Sequence, residues 1–328
     1  MGVNTHRDRL RNADLSRTFR GGLRGALLLR ASHLAYGAPM NKLVMLLVVA
    51  ACGGAPPPAA TSAAAAPEAT RPAPAFTPTS FGVEVSGAGR PVILIPGLGC
   101  PGSIWQATVA HLAPTAQVHV LTLSGFAGRP PIDHPLVATV RTELAAYIRD
   151  RHLDHPVVIG HSLGGFLTYW LAATEPDLVG PVVAVDALPA IGAMPGGTEA
   201  AAGMRDRWKQ MPAPEFAATT RQFFSGMAND PSQLEPLLAE IQRSDQRAMA
   251  DAFYELFTTD IRADLPKITA PLLAIIADSP YQKFIADQLA PVPHHEVVTL
   301  PHTKHIVMYD DPAGFHRALD GFLTAHPK

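Results

Sequence analysis

The chain has 328 residues, 47% hydrophobic and 16% charged, with 26 Lys and Arg set against 28 Asp and Glu. That balance suits one large folded domain or two modest ones and excludes general disorder. The formal net charge is −2, and the first 39 residues carry seven Arg against two Asp, so the rest of the chain is clearly acidic and has no basic patch of the kind nucleic acid requires.

Residues 1–39 show no strong apolar periodicity and are expected to be an upstream extension outside the fold, with Met40 as the working start; the alternative is a long basic leader. The next stretch, "MNKLVMLLVVAACGG", holds nine apolar residues from Leu43 to Ala51, far short of the roughly 20 that span a bilayer as a helix. Lys42 before the run and small residues after it give residues 40–51 the layout of a secretory signal peptide. The ending "VAAC" resembles the bacterial lipobox, which implies a lipid on Cys52, a mature N-terminus there, and membrane anchoring at the cell envelope, on its periplasmic or extracellular side. Residues 52–79 are almost entirely Pro, Ala, Thr and Ser. They cannot bury enough apolar surface to offset their ordering entropy and are expected to form a flexible, partly polyproline II linker. The only other cysteine is Cys100, so an acylated Cys52 leaves no intramolecular disulfide and stability must come from a packed core.

From residue 80 the pattern changes. "FGVEV" and "RPVILIPG" read as strands around an "SGAG" turn, and "QVHVLTL" as another. "VATVRTELAAYIRD" sets Val137, Val140, Leu144 and Ile148 on one helical stripe. "HPVVIG" is strand, "LGGFLTYWLAA" helix and "PVVAVDAL" strand, an alternation that predicts a mostly parallel sheet covered on both faces. Over 190–265 the strand signal disappears and aromatic, Met and Leu residues recur at helical spacing. "APLLAIIAD", "YQKFIADQLA", "HEVVTL" and "AGFHRALDGFLTAH" then read as strand, helix, strand and helix within 266–328.

The stretch "VVIGHSLGGF" carries the chemistry. Gly160, Ser162 and Gly164 form G-x-S-x-G directly between a strand and a helix. A sharp turn there holds the serine hydroxyl out above the sheet edge, while glycines two residues before and after avoid clashes. The helix N-terminus also favours negative charge developing nearby. On these residues the chain from about Phe81 resembles an α/β-hydrolase. The resemblance implies an eight-stranded, mostly parallel sheet with helices on both faces and a helical cap inserted after strand six. It makes 80–189 and 266–328 two parts of one core, with 190–265 as the cap.

It also implies site residues. Ser162 is the nucleophile. "LIPGLGCPGSIW" takes the place of the oxyanion loop, with Pro96 where the family often has histidine. The expected donors are the backbone N–H groups of Leu98 and Leu163, each worth about 3 kcal/mol by analogy with measured oxyanion donors. Cys100 beside this loop is either a reactive thiol or, preferred here, a buried bystander. In "VVTLPHTKHIVMYDDPAGF" the base is expected at His305, with His302 as runner-up, and His161 is expected only to pack locally. The acid stays open between Asp186, in "VVAVDALP", and Asp278, in "IIADSPYQ", with Asp186 preferred.

The resulting expectation is a serine hydrolase cleaving an ester or related acyl bond of a small molecule through an acyl-enzyme, with no cofactor and no metal. Amidase, lactonase, thioesterase or acyltransferase chemistry could use the same residues, and a non-catalytic envelope binding protein is the rival from another class. Trp208, Phe223, Phe224, Phe253, Tyr254 and Phe257 of the cap are expected either to line an acyl pocket or to form the cap's own core.

Overall fold

The computed structural model describes residues 76–327 apart from 195 and 281. Cys52, the signal-like run and residues 52–75 of the expected linker therefore lie outside the described residues, whereas its last four residues are described and are held: Phe76 N–H donates to Asp150 Oδ1 and Thr79 N–H to Glu143 Oε2, each at 2.8 Å. No helix among those described is long and apolar enough to cross a membrane.

Among the described residues, seven strands form one sheet: β1 (Phe81–Ser86), β2 (Arg90–Ile95), β3 (Ala116–Leu123), β4 (Val157–His161), β5 (Val182–Val185), β6 (Leu272–Ala277) and β7 (His295–Leu300). Their spatial order is β1-β3-β2-β4-β5-β6-β7. All pairings are parallel except β1 on β3. Against the eight strands expected, the described residues supply seven. β1 lies antiparallel along β3 and occupies that edge, and only Gly87, Ala88 and Gly89 connect it to β2. That link has no room for an extra strand.

β4, β5 and β6 are buried at every residue, as a sheet covered on both faces demands, and this is why they read as unbroken apolar runs. Covering helices are α1 (Gln106–Leu112), α2 (Leu136–Asp150), α3 (Leu163–Thr174), then α4 (Gly197–Gln210), α5 (Ala213–Ser225), α6 (Glu235–Ile241) and α7 (Gln246–Thr258), and finally α8 (Gln282–Leu289), α9 (Val307–Asp310) and α10 (Pro312–Ala325). On α2, the stripe Val137, Val140, Leu144 and Ile148 is completely buried. Every described element between β5 and β6 is helical, so α4 to α7 sit as one insertion after the fifth described strand, where the expectation counted six because it counted eight strands in all.

Parallel strands align their carboxyl ends. Ile95 pairs with Gly160, His161 with Val185, and Val185 with Ile275, so the loops after β2, β4, β5, β6 and β7 all emerge at one edge, where open α/β sheets bind their ligands. The inserted helices are tied to the core by a cap in trans. α2 starts after Pro135 with no side-chain cap of its own, and Glu255 of α7 accepts its first amides instead, from Leu136 at 2.8 Å and Val137 at 3.0 Å. Burial pushes the Glu255 carboxyl above its ordinary range although these amides pull it down.

Glu255→Ala leaves those amides without an acceptor and is expected to cost about 1–2 kcal/mol of stability, the usual value of a lost helix cap. Urea unfolding measures it, with Glu255→Gln, which keeps one acceptor, falling in between.

Candidate active site

The turn between β4 and α3 is tight because two backbones nearly touch. A Cβ on Gly160 would stand 2.0 Å from the Gly164 carbonyl oxygen, and one on Gly164 would stand 2.2 Å from that of Ile95. Between them Ser162 adopts φ 55° and ψ −116°, a conformation costly for any residue with a side chain and sustained only where the surroundings fix it. They do so here: Ser162 N–H donates to Val185 O at 2.9 Å, and Ser162 O accepts from Phe166 N–H at 2.9 Å. The hydroxyl is left facing a cavity at the carboxyl edge of the sheet.

Asp186 follows β5 with φ 44°, a left-handed conformation that aspartate tolerates better than most residues. Its Oδ2 accepts a hydrogen bond from His305 Nδ1–H at 2.5 Å, and its Oδ1 accepts from Ala277 N–H at 2.9 Å. The carboxylate is only 7% exposed. Burial alone would raise its pKa, but the His305 bond and charge together with the Ala277 amide outweigh that and hold it below the usual carboxylate range. With Nδ1 protonated and committed to Asp186, His305 Nε2 is the basic nitrogen. Ser162 and His305 border the same cavity without a hydrogen bond between them; such contacts often tighten only with substrate.

The other expected residues separate clearly. Asp278 is exposed beyond β6 and meets Gln282 Nε2 at 3.3 Å rather than His305. His302 is exposed with φ 59°, and its carbonyl accepts from Asn229 Nδ2 at 2.6 Å. Leu98 borders the cavity and Leu163 opens α3. Neither backbone N–H is used by a protein acceptor among the described residues. Cys100 also borders the cavity, but burial pushes its thiol up to about 12, so it is not a thiolate at neutral pH. Of the cap aromatics, Phe223, Phe224, Phe253 and Phe257 line the cavity. Trp208 is 2% exposed and packs against Phe216 and Phe253 within the cap. Tyr254 lies under the Arg205 guanidinium, 4.1 Å from ring centre to carbon.

Two features escaped the sequence reading. His161 does more than pack: its Nε2–H donates to the His305 carbonyl at 2.9 Å, and the two rings lie 4.7 Å apart. Burial first, then the neighbouring His305, pushes its pKa down to about 3. The second feature is a clamp on the loop carrying His305. Ile306 N–H donates to Met227 O at 3.0 Å and Lys304 Nζ to Ala228 O at 3.1 Å. Asp310 accepts from Lys304 N–H and from Asn229 N–H, each at 2.7 Å. His161 was identifiable as the residue before the nucleophile, but its partner is 144 positions away.

A histidine barred from protonation makes folding pH-dependent. The unfolded chain takes up a proton near the ordinary value of 6.5 that the folded chain refuses until about 3, so stability falls as pH drops below about 6.5. The contribution approaches 1.4 kcal/mol per pH unit. His161→Gln keeps a donor for the His305 carbonyl and removes the titration; urea unfolding between pH 7 and pH 5 should show a wild-type slope steeper by about one proton. Identical slopes would contradict this account of His161.

Comparison with known proteins identifies the family. Residues 92–318 match the model of the alpha/beta hydrolase family. Among curated proteins, a pimeloyl-[acyl-carrier protein] methyl ester esterase of Aliivibrio salmonicida is 24% identical over 256 residues, covering 75% of this chain and 94% of its own. A protein of the same name from Aeromonas hydrophila is 26% identical over 258 residues, covering 74% and 99%. Among solved structures, the enol-lactonase from Burkholderia xenovorans LB400 superposes with a TM-score of 0.65 at 18% identity over 74% of this chain and 96% of its own. A thermophilic esterase from Thermogutta terrifontis gives 0.66 at 20% identity over 75% and 94%. By the extent of the family match and by its sheet, the chain belongs to the alpha/beta hydrolase family.

Proposed function

We propose that the protein is a serine ester hydrolase working through an acyl-enzyme on Ser162. His305 Nε2 takes the hydroxyl proton as Oγ bonds to the ester carbonyl carbon, and the carbonyl π electrons move onto oxygen. The N–H groups of Leu98 and Leu163 stabilise that oxyanion. Collapse breaks the bond to the alcohol, which leaves with the proton from His305; water then repeats the sequence and frees Ser162. Asp186 fixes the imidazole tautomer and stabilises the imidazolium. The observation that carries this reading is the 2.5 Å bond from buried Asp186 to His305 beside the strained Ser162 turn. An ester, rather than another acyl bond, is supported by the names of the curated relatives. The rival reading, a binding protein that keeps the fold, has in its favour Pro96 in place of the loop histidine and the irregular segment around Asp278; the Asp186 to His305 bond weighs against it.

Cys52 as a lipid anchor is a further part of the proposal and rests on sequence alone. Palmitate incorporation that persists in Cys52→Ala removes it.

A fluorophosphonate should add to Ser162 and to nothing in Ser162→Ala, as read by mass spectrometry. Asp186→Asn should lower kcat by about 10³–10⁴-fold, since an amide favours the wrong tautomer. Asp278→Asn should stay within about threefold of wild type, as expected of a carboxylate not bonded to the base. A folded wild type that takes no adduct, or an Asp278 variant as impaired as the Asp186 variant, would sink the assignment.

A further inference from the structure

The loop after β2 is pinned at several points, and one of them leads to a donor beside the cavity. Leu98 borders the cavity, and its N–H has no protein acceptor among the described residues. That N–H belongs to the peptide unit whose carbonyl oxygen is Gly97 O. A trans peptide is planar, so its C=O and N–H point in opposite directions and fixing one aims the other. Gly97 O accepts from Cys100 N–H at 3.1 Å. The Cys100 N–H in turn shares a peptide unit with Gly99 O, and Gly99 O accepts from Ser244 Oγ–H at 3.2 Å.

Ser244 stands outside the sheet core, between α6 and α7. Its hydroxyl has one proton to give and two lone pairs. Ala127 N–H donates to its Oγ at 2.9 Å, which leaves the proton for Gly99 O. Asp245 N–H donates to Gly125 O at 2.7 Å and so fastens the next residue to the loop after β3. Gly99 has φ 67°, and a Cβ there would stand 2.8 Å from Met249 Cε, so the β2 loop runs close against α7. Other contacts of the same loop lie off this path. Gly102 N–H donates to Thr122 Oγ1 at 2.9 Å, and Ser103 Oγ–H donates to Glu240 Oε1 at 2.7 Å. They hold the loop without engaging the peptide units 97–98 and 99–100.

We propose that Ser244 is a positioning residue that aims the Leu98 N–H at the oxyanion through two peptide units joined by hydrogen bonds. Each bond in the series also polarises the next amide, which strengthens the terminal donor. This role rests on the ester-hydrolase reading above, because it is the developing oxyanion that needs an aimed donor. The inserted helices then take part in the chemistry as well as bordering the cavity: the junction of α6 and α7 orients a donor without touching substrate.

The full chain is assayed with p-nitrophenyl butyrate. Ser244→Ala should lower kcat about tenfold and leave KM within about twofold, since a group acting only on the oxyanion is felt only in the transition state. Complete loss of one oxyanion donor costs about 10²–10³-fold, and a misaimed donor keeps part of that. The inhibitor 1,1,1-trifluorodecan-2-one reports on the same donor: Ser162 Oγ bonds to its carbonyl carbon, the proton passes to His305, and the carbonyl oxygen becomes the anion. Its inhibition constant should rise by the factor by which kcat falls, whereas binding of decan-2-one, which stays an uncharged ketone, should not change. Ser244→Thr keeps the hydroxyl and should stay within about threefold of wild type, with Ser244→Cys, a weaker donor, between Thr and Ala. Ser103→Ala frees the loop from Glu240 off this path and should leave kcat within about twofold. A folded Ser244→Ala with wild-type kcat and trifluoroketone affinity overturns the assignment, and so does an equal loss in Ser103→Ala, which makes Ser244 a general anchor of the loop. Should Ser244→Ala not fold, wild-type kcat and trifluoroketone affinity in Ser244→Cys overturn it instead. A folded wild type that hydrolyses no p-nitrophenyl ester and takes no fluorophosphonate overturns the ester-hydrolase reading itself.

Discussion

The close approach of the β4–α3 turn to β2 is the constraint on which the site depends. Gly160 and Gly164 let the backbones approach to distances that a methyl group would forbid, and only that approach lets Ser162 sit at positive φ at the head of α3. The strain is local, whereas what holds it is distributed: Val185 of the next strand accepts the Ser162 amide, and β2 runs alongside through the Ile95 and Gly160 register. A strained residue persists when many ordinary contacts would have to break to relax it. The same turn leaves the Leu163 amide unspent at the start of α3, so one backbone geometry both presents the hydroxyl and leaves a free donor beside it.

The site pairs one of its two neighbouring histidines with a buried carboxylate and keeps the other neutral. Asp186 is held ionised by the bond to His305 and the Ala277 amide. His161 sits against His305 but is kept neutral by burial, so it serves as a hydrogen-bond donor without competing for the carboxylate. Two imidazoles side by side would repel if both were protonated. Assigning one to a dry position and the other to a carboxylate removes that conflict and leaves His305 as the imidazole paired with the buried acid.

Local signals were enough for most of the fold. Alternation of apolar runs with a helical stripe identified the parallel sheet, and the Gly160, Ser162, Gly164 spacing identified the turn, because both are short-range patterns fixed by periodicity and sterics. The strand count was not local: the edge position of β1 depends on its pairing with β3 rather than on the turn that joins it to β2. The acid was ambiguous for the same reason. Asp186 and Asp278 each follow a strand and look alike in sequence, and only the register of β5 against β6, which lets the Ala277 amide meet Asp186, decides which carboxylate turns inward. The clamp on the His305 loop and the donor from His161 join residues far apart in the chain, and neither has a compositional signature.

Those long-range contacts also decide what the inserted helices do. Glu255 seats α7 on the start of α2, while Met227, Ala228 and Asn229, just beyond α5, bind the loop on both sides of His305. The segment that borders the cavity at Ser162 is therefore also the one bonded to the loop that carries His305. A rigid swing of α5 away from the core would break the Met227 to Ile306 bond and release His305 from its place over the cavity. The backbone clamp is a set of mutually supporting hydrogen bonds, so this edge of the inserted helices and the loop carrying His305 hold one another in place.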